Sequence, residues 1–368
     1  MSWNNRREFL RASGALVACA IVGDGQSPIL KPAGVFMREE TAKSQSVEFE
    51  GLVDLQVNGF AGVDFSDPRV TEEKLLLSQK AIQETGVTRF LPTLTTSSLN
   101  DFISCAKTIA RERHPSLVGI HMEGPYISPL DGARGAHPKE FVCLPSLDDF
   151  RRRQDGAEGR IVLVSLAPEV EGALPMIEFL VKSGIRVAIA HTAATPAQIQ
   201  DAVRAGATLS THLGNGCAQM LPRHPNFIWE QLAEDRLWAS FIVDGHHLPP
   251  ATVKSMIRAK TPSRSILVTD AIEVAGLPPG SYKMTNQAVE VNQDGRVSLV
   301  GTPYLAGSAL RMDVAVGNTV RFTGLSLQEV LEMASTRPAH YIGIQTAGKV
   351  KAEWDSEKCQ LKIKQVMV

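Results

Sequence analysis

The polar residues that could do chemistry fall in an orderly way along this chain. Gln56 and Asn58, then Glu123, His191, His212, Asp244 with His247, and Asp270 each stand just after a short apolar run. A core does not want a charge there, because burying an unpaired carboxylate is costly. One carboxylate and two imidazoles, Glu123, His191 and His212, form a recognised ligand set for a catalytic zinc-type ion with an open position. An ion held that way makes water acidic enough to ionise near neutral pH. Asp270 then adds general acid–base chemistry, taking a proton from the attacking water and passing it to a leaving nitrogen. Amide cleavage requires that transfer, since a free amide anion is a very poor leaving group. Taken singly, each residue has a plainer reading: a hydrogen-bonded structural histidine, a helix cap at Glu123, an N-cap at Asp270. Taken together, those plain readings require several independent strand ends to carry such residues by accident.

Something must position these residues. From Gly51 onward, apolar β-rich runs alternate with amphipathic stretches. The runs are Leu52–Val57, Val87–Leu91, Leu117–His121, Ile161–Leu166, Arg186–Ala190, Ala207–Thr211, Ala239–Val243 and Ser265–Val268. Between them lie helix-like segments, among them Glu72–Glu84, Leu99–Glu112, Gly172–Ser183, Pro196–Ala205 and Pro250–Lys260. Thr195-Pro196 has the form of an N-cap followed by proline at the first helical position. Gly184 and Gly206 are placed as C-terminal stops. Strands alternating with helices imply a parallel sheet, and eight of them favour closure into a (β/α)8 barrel, whose active sites lie at the C-terminal strand ends. The rival is an open doubly wound sheet with a glycine-rich phosphate turn after its first strand. Asn58-Gly59-Phe60-Ala61-Gly62 does not fit that fingerprint.

The bulk numbers agree with a soluble globular enzyme. The chain has 368 residues, enough for one barrel plus attachments. Its 38 basic and 39 acidic residues leave a net charge of -1, so there is no electrostatic case for nucleic acid or an anionic membrane surface. The five cysteines, Cys19, Cys105, Cys143, Cys217 and Cys359, are scattered, without a CxxC pair. Buried thiols are expected at all but Cys19, and no disulfide framework. At the N-terminus, Arg6-Arg7 before Glu8-Phe9-Leu10 and the apolar run Ala12 to Val22 look like a twin-arginine export signal over residues 1–23. Leu16-Val17-Ala18-Cys19 resembles a lipobox, which would lipidate Cys19. The alternative is a cytoplasmic chain with a non-functional leader. Residues 24–50 read as a linker with at most one short strand, around Gln45 to Phe49.

These motifs, in this order, resemble the N-acetylglucosamine-6-phosphate deacetylase family of the amidohydrolase superfamily. Val53-Asp54-Leu55-Gln56-Val57-Asn58-Gly59 is similar to its first-strand motif, in the Gln-x-Asn variant that goes with a single metal. Gly119 to Tyr126 is similar to the glutamate motif and Arg134 to Pro138 to the one after it. Ala190-His191-Thr192 and Ser210 to Asn215 are similar to the two histidine motifs. Val243 to His247, Val268 to Ala271 and Leu305 to Leu310 follow in the family's order. The resemblance implies that Glu123, His191 and His212 hold one divalent metal. Zinc or iron(II) suits that mixed set. It implies Asp270 as the acid/base and His137, beside Ala136, at the acetyl carbonyl. It further implies that Asn215, Gly216, Arg223, Asp244 and His247 serve sugar and phosphate, that Leu305, Ala306 and Gly307 close the pocket, and that the enzyme is a homodimer. Arg223 suits phosphate on its own account, because a guanidinium is a bidentate fork. Gln56, Asn58 and His121 are expected behind the metal site; His121, two residues before Glu123, shares its strand face. Spacing from Asp244 favours His247 over His246.

The implied organisation is a barrel over residues 51–345, a small β domain reduced to a remnant in 24–50, and a β tail over 346–368. Gly214, Gly216, Cys217 and Glu273 depart from the commoner family residues. Those departures, and the export-like leader, put the 6-phosphate in question. Three functions are therefore carried forward: deacetylation of an N-acetylhexosamine 6-phosphate, hydrolysis of an unphosphorylated N-acyl amino sugar or other small amide, and a non-catalytic barrel that binds a ligand.

Overall fold

The computed structural model describes residues 44–284, 288–302 and 304–368. The expected leader over 1–23, with Cys19, and residues 24–43 of the linker lie outside that range.

The described chain opens with β1 (Ser44–Glu50), β2 (Leu52–Val57), the short pair β3 (Gly59–Phe60) and β4 (Val63–Asp64), and α1 (Glu72–Gln83). Alternation continues through β5 (Val87–Thr95), α2 (Leu99–Arg111), β6 (Ile120–Glu123), α3 (Leu147–Gly156), β7 (Ile161–Leu166) and α4 (Ala173–Lys182). It runs on through β8 (Arg186–Ile189), α5 (Pro196–Ala205), β9 (Leu209–Ser210), α6 (Phe227–Ala233), β10 (Trp238–Ile242), α7 (Pro250–Lys260) and β11 (Ser265–Val268). An antiparallel sheet of β12 (Gly280–Lys283), β13 (Ala288–Val291) and β14 (Val297–Leu299) precedes α8 (Met312–Thr323), α9 (Leu327–Ala334) and α10 (Thr336–Ile342). The chain ends in β15 (Lys349–Asp355) and β16 (Gln360–Met367).

Eight parallel strands form one sheet in the order β11-β10-β9-β8-β7-β6-β5-β2. The last residues of β2 meet the chain just beyond β11: Val57 and Ala271 form a parallel bridge, the Asp270 N–H donates to the Gln56 carbonyl at 2.9 Å and the Asn58 N–H to the Ala271 carbonyl at 2.8 Å. That closure makes the sheet a barrel and excludes the open doubly wound alternative. The strands are buried on both faces, as parallel strands under helices must be; all six residues of β2 are buried. Several helices start where the sequence supplies a side-chain cap, as at Thr71, Ser98, Ser146, Asn226 and Ser326. Thr195 and Gln198 form a reciprocal capping box at α5, and Gly206 ends it in the left-handed conformation.

Differences from the sequence reading have local causes. β5 runs four residues past Leu91, through Pro92, because the register shifts there: the Val57 N–H donates to the Thr93 hydroxyl at 3.1 Å rather than to a ladder carbonyl. Leu117 makes a single bridge with Phe90, so β6 starts at Ile120. The antiparallel insertion β12–β14 and helices α3, α6 and α8 to α10 are not anticipated by the runs. A small sheet, ordered β1-β15-β16, pairs the two ends of the described chain, with Val350, Ala352 and Trp354 buried on one face. Of the cysteines, Cys105 is buried as expected, Cys217 and Cys359 are half-buried, and Cys143 is exposed, because it sits in the loop before α3 rather than in an element. None of the described helices is long and apolar enough to cross a membrane.

Candidate active site

The barrel's C-terminal rim gathers the chemistry. Glu123 ends β6, His191 follows β8 by two residues, His212 follows β9 by two and Asp270 follows β11 by two. His191, His212 and Asp270 have φ of 46°, 32° and 49°. Non-glycine residues avoid that left-handed region, at about 1–3 kcal/mol each, and such strain collects at functional sites. Here it lets the chain turn sharply off the strand while the side chain stays over the barrel mouth.

Three side chains converge. Glu123 Oε1 lies 2.9 Å from His212 Nε2, 3.2 Å from His191 Nε2 and 3.0 Å from Gln56 Nε2, which donates to it. One ligand atom each from Glu123, His191 and His212 lies within 4.8 Å of the others, and all three residues are buried. His191 Nδ1 lies 3.1 Å from the Ala133 carbonyl, which only accepts, so Nδ1 donates there and Nε2 is the atom turned to the cluster. Burial alone would push the Glu123 carboxyl up and the His212 imidazole down. Hydrogen bonds from His191 and His212 win at Glu123, holding it well below the usual carboxylate range, and the bond to Glu123 raises His212. The hollow thus asks for positive charge beside a buried carboxylate. A carboxylate oxygen with two imidazole nitrogens fits a catalytic divalent ion.

Asp270 faces the same hollow. Asn58 Nδ2 donates to its Oδ1 at 2.6 Å, leaving Oδ2 uncommitted. Burial, then the charge of Glu123, raises its carboxyl to about 6. His137 Nε2 lies 3.1 Å from His191 Nε2, and Nδ1 lies 2.7 Å from the Thr96 hydroxyl. His137 thus stands between the His191 ring and the Thr96 hydroxyl. Burial holds its imidazole down near 3, so it is a neutral donor.

The remaining expected residues divide. Ala136, Asn215, Gly216, His247 and the Leu305–Gly307 segment line a hollow of about 410 Å³ with the cluster. Gly216 has φ +57°, and a Cβ there would come within 2.7 Å of His191 Nδ1. Leu305–Gly307 is fixed rather than loose: Leu305 bridges to Ser298 and the Ala306 N–H donates to the Val297 carbonyl at 3.2 Å. Asp244 does not line the hollow; its Oδ2 lies 2.6 Å from His247 Nδ1 and its Oδ1 accepts the His246 and His247 N–H groups, so it aims His247. His246 instead turns toward the Asp294 carbonyl, 3.2 Å away. His121 sits deeper, between the Thr93 and Ser165 hydroxyls, with no hydrogen bond to Glu123, His191 or His212. Arg223 is exposed and not part of the hollow's lining.

Sequence reasoning misses Thr96, because the second apolar run stops at Leu91, and Asp64, which lines the hollow from β4. The Ala133 carbonyl leaves no trace in a sequence. Asp54 was legible only as a motif letter.

The comparisons agree with this geometry. The amidohydrolase family profile matches residues 50–355. The chain is 33% identical over 328 residues to an N-acetylgalactosamine-6-phosphate deacetylase of Escherichia coli O157:H7, covering 88% of this chain and 84% of that one. It is 35% identical over 342 residues to the human N-acetylglucosamine-6-phosphate deacetylase, covering 86% and 81%. In structure it is similar to a mutant N-acetyl-D-glucosamine-6-phosphate deacetylase of Mycobacterium smegmatis in complex with N-acetyl-D-glucosamine-6-phosphate, with TM-score 0.79 and 28% identity over 87% of this chain and 86% of that one. A closed parallel barrel carrying one carboxylate and two imidazoles at its rim, with relatives of this kind over most of its length, belongs to the amidohydrolase family and, within it, to the N-acetylglucosamine-6-phosphate deacetylases, hydrolases of carbon–nitrogen bonds other than peptide bonds.

Proposed function

We propose that this enzyme hydrolyses the acetamide of an N-acetylhexosamine 6-phosphate, with N-acetylglucosamine 6-phosphate as the first candidate, to the amino sugar phosphate and acetate. The observation that carries the reading is the convergence of Glu123, His191 and His212 on one point, with Asp270 facing the same hollow. Those three would hold one divalent ion, zinc before iron(II), which when bound supplies Lewis acidity toward water and the acyl carbonyl. The protein's own groups do the rest. His137 donates its Nε2–H to the acyl oxygen. Asp270, steadied by Asn58, accepts a proton as water adds to the carbonyl carbon, then delivers it to nitrogen as the C–N bond breaks. Gln56 keeps Glu123 turned inward, and His247, aimed by Asp244, is offered to the sugar.

A second reading, hydrolysis of an unphosphorylated N-acyl amino sugar, is favoured by one observation: no lysine or arginine is among the described residues lining the hollow. A homodimer in which the exposed Arg223 of one copy reaches the hollow of another would supply the cation that the first reading needs. Acetate release decides the matter. Purified enzyme, stripped with a chelator and reloaded with zinc, is offered N-acetylglucosamine 6-phosphate, N-acetylgalactosamine 6-phosphate and both free sugars. Zinc-dependent release from the phosphates supports the first reading, and release from the free sugars alone replaces it with the second. Release from none overturns both.

A further inference from the structure

We propose that the catalytic hollow continues into a second subsite that holds a hydroxyl-rich unit, a further sugar ring, joined to the N-acetylated amino sugar. The proposal rests on the amide-hydrolysis reading above and extends it to a disaccharide substrate. A second hollow of about 400 Å³ lies beside the first and meets it at Asp64, Glu273 and Met284, which line both. Each is within the roughly 300–1,000 Å³ range of small-molecule sites, so together they approximately double the space available. Strand order places the second hollow on one side of the mouth. Its walls come from the loop after β2, the start of α1, the turn after β11 and the end of β12, whereas His247 follows β10 and Asn215 follows β9.

The lining has hydrogen-bonding capacity that the protein does not use. Among the described residues, the Glu273 carboxyl has only its own backbone N–H, and the Asp64 carboxyl accepts only the Ser66 N–H, at 2.8 Å. Lys74 and Lys283 on the outer wall form no ion pair among the described residues, whereas Arg69 is committed to Asp67 through its guanidinium. Acceptors at the junction and donors beyond it suit the alternating hydroxyls of a sugar. Among the described residues, its lining offers no aromatic face for a planar or acyl group, and its only apolar side chains are Val63, Val70 and Met284. A phosphate is disfavoured at the junction, because it would meet two carboxyls. Burial first, then the charge of Asp67, raises the Asp64 carboxyl to about 6; burial, then the charge of Asp64, raises Glu273 to about 7. Near neutral pH such groups accept from a hydroxyl, or share a proton with it.

The test compares N-acetylglucosamine 6-phosphate and free N-acetylglucosamine with the corresponding disaccharides of two N-acetylglucosamine units, in zinc-loaded enzyme. The expected result is a kcat/KM about tenfold higher for a disaccharide, carried mainly by a lower KM, since the added contacts are the same in ground and transition states. The double variant Lys74→Ala with Lys283→Ala, both exposed, should lose that gain while leaving monosaccharide turnover within about twofold. Isothermal titration of the disaccharide into Asp270→Asn enzyme should give binding that the same double substitution weakens. Equal kcat/KM for mono- and disaccharides, unmoved by the double variant, would overturn the subsite and leave the deacetylase reading standing. Absence of acetate release from every sugar would instead remove the reading on which it rests, and the subsite with it.

Discussion

Asp54 accepts the Thr269 hydroxyl at 2.6 Å across the seam where the first and last barrel strands meet. The same buried carboxylate accepts the Thr269 N–H, at 3.3 Å to Oδ2, and the Gln56 N–H at 3.1 Å. The backbone pairing at this seam is a single parallel bridge, so a side chain does what a ladder does elsewhere in the barrel. Its two partners adjoin the chemistry: Gln56 holds Glu123, and Thr269 precedes Asp270. Asp54→Asn puts an amide donor among donors, leaving a buried polar mismatch worth about 1–3 kcal/mol. We expect a thermal midpoint several degrees lower and a kcat reduced about tenfold or more, with KM little changed; calorimetry and steady-state kinetics on the same sample check both.

Asn58 predicts a pH effect of known sign. Its Nδ2 donates to Asp270 Oδ1 and so favours the charged carboxylate, opposing the burial and the Glu123 charge that raise the group to about 6. Removing the donor lets the Asp270 pKa rise. A base with a higher pKa is deprotonated only at higher pH, so the acidic limb of kcat/KM in Asn58→Ala should move toward neutral pH. A limb that stays in place, or moves down, would show that Asn58 does not act on Asp270. The measurement is kcat/KM between about pH 5 and 8.

The barrel was legible because its strands are continuous apolar runs and several of its helices carry caps; α5 has the limits Pro196–Ala205 that its capping box and Gly206 imply. The convergence of Glu123, His191 and His212 was legible because they break those runs where a core cannot use a charge. What the sequence hid has physical reasons. Pro92 reads as a stop, yet β5 continues to Thr95 because the ladder slips beside it. The β12–β14 strands are short and half-exposed, so their apolar signal is faint. Asp244 and His247 are three residues apart and both polar; only the 2.6 Å contact between them shows which one points and which one is presented.

Gly216 predicts a steric effect at the metal site. With φ +57° and a Cβ direction aimed 2.7 Å from His191 Nδ1, even a methyl group must displace the ring or the loop. The left-handed conformation adds about 1–2 kcal/mol for any residue with a Cβ. Gly216→Ala should purify with less than one metal ion per chain and a kcat/KM at least about tenfold lower, because small displacements of a ligand cost that much. Metal analysis of the variant beside wild type is the check; full metal occupancy with unchanged activity would contradict the geometry.

Two adjacent histidines should behave oppositely. His247 lines the hollow, whereas His246 reaches toward the Asp294 carbonyl. His247→Ala should raise KM for the sugar substrate by about tenfold or more, the loss of a polar contact. His246→Ala should leave KM within about twofold. Asp244→Asn, which keeps the size but weakens the hold on His247 Nδ1, should fall between them.

Metal removal should register as a loss of stability as well as activity. The buried Glu123 carboxylate is held well below its usual range by the imidazoles of His191 and His212, and His212 is raised in turn, so the three groups together favour a positive charge between them. An ion that binds the folded chain and not the unfolded one adds about 4 kcal/mol at a thousandfold excess over Kd. Chelation should therefore lower the thermal midpoint by several degrees, and zinc should restore it. In Glu123→Gln the carboxylate is gone, so the midpoint should respond little to either chelator or zinc. Differential scanning calorimetry of the two proteins with and without zinc separates the cases: a wild-type midpoint indifferent to the metal would mean that Glu123, His191 and His212 do not hold one.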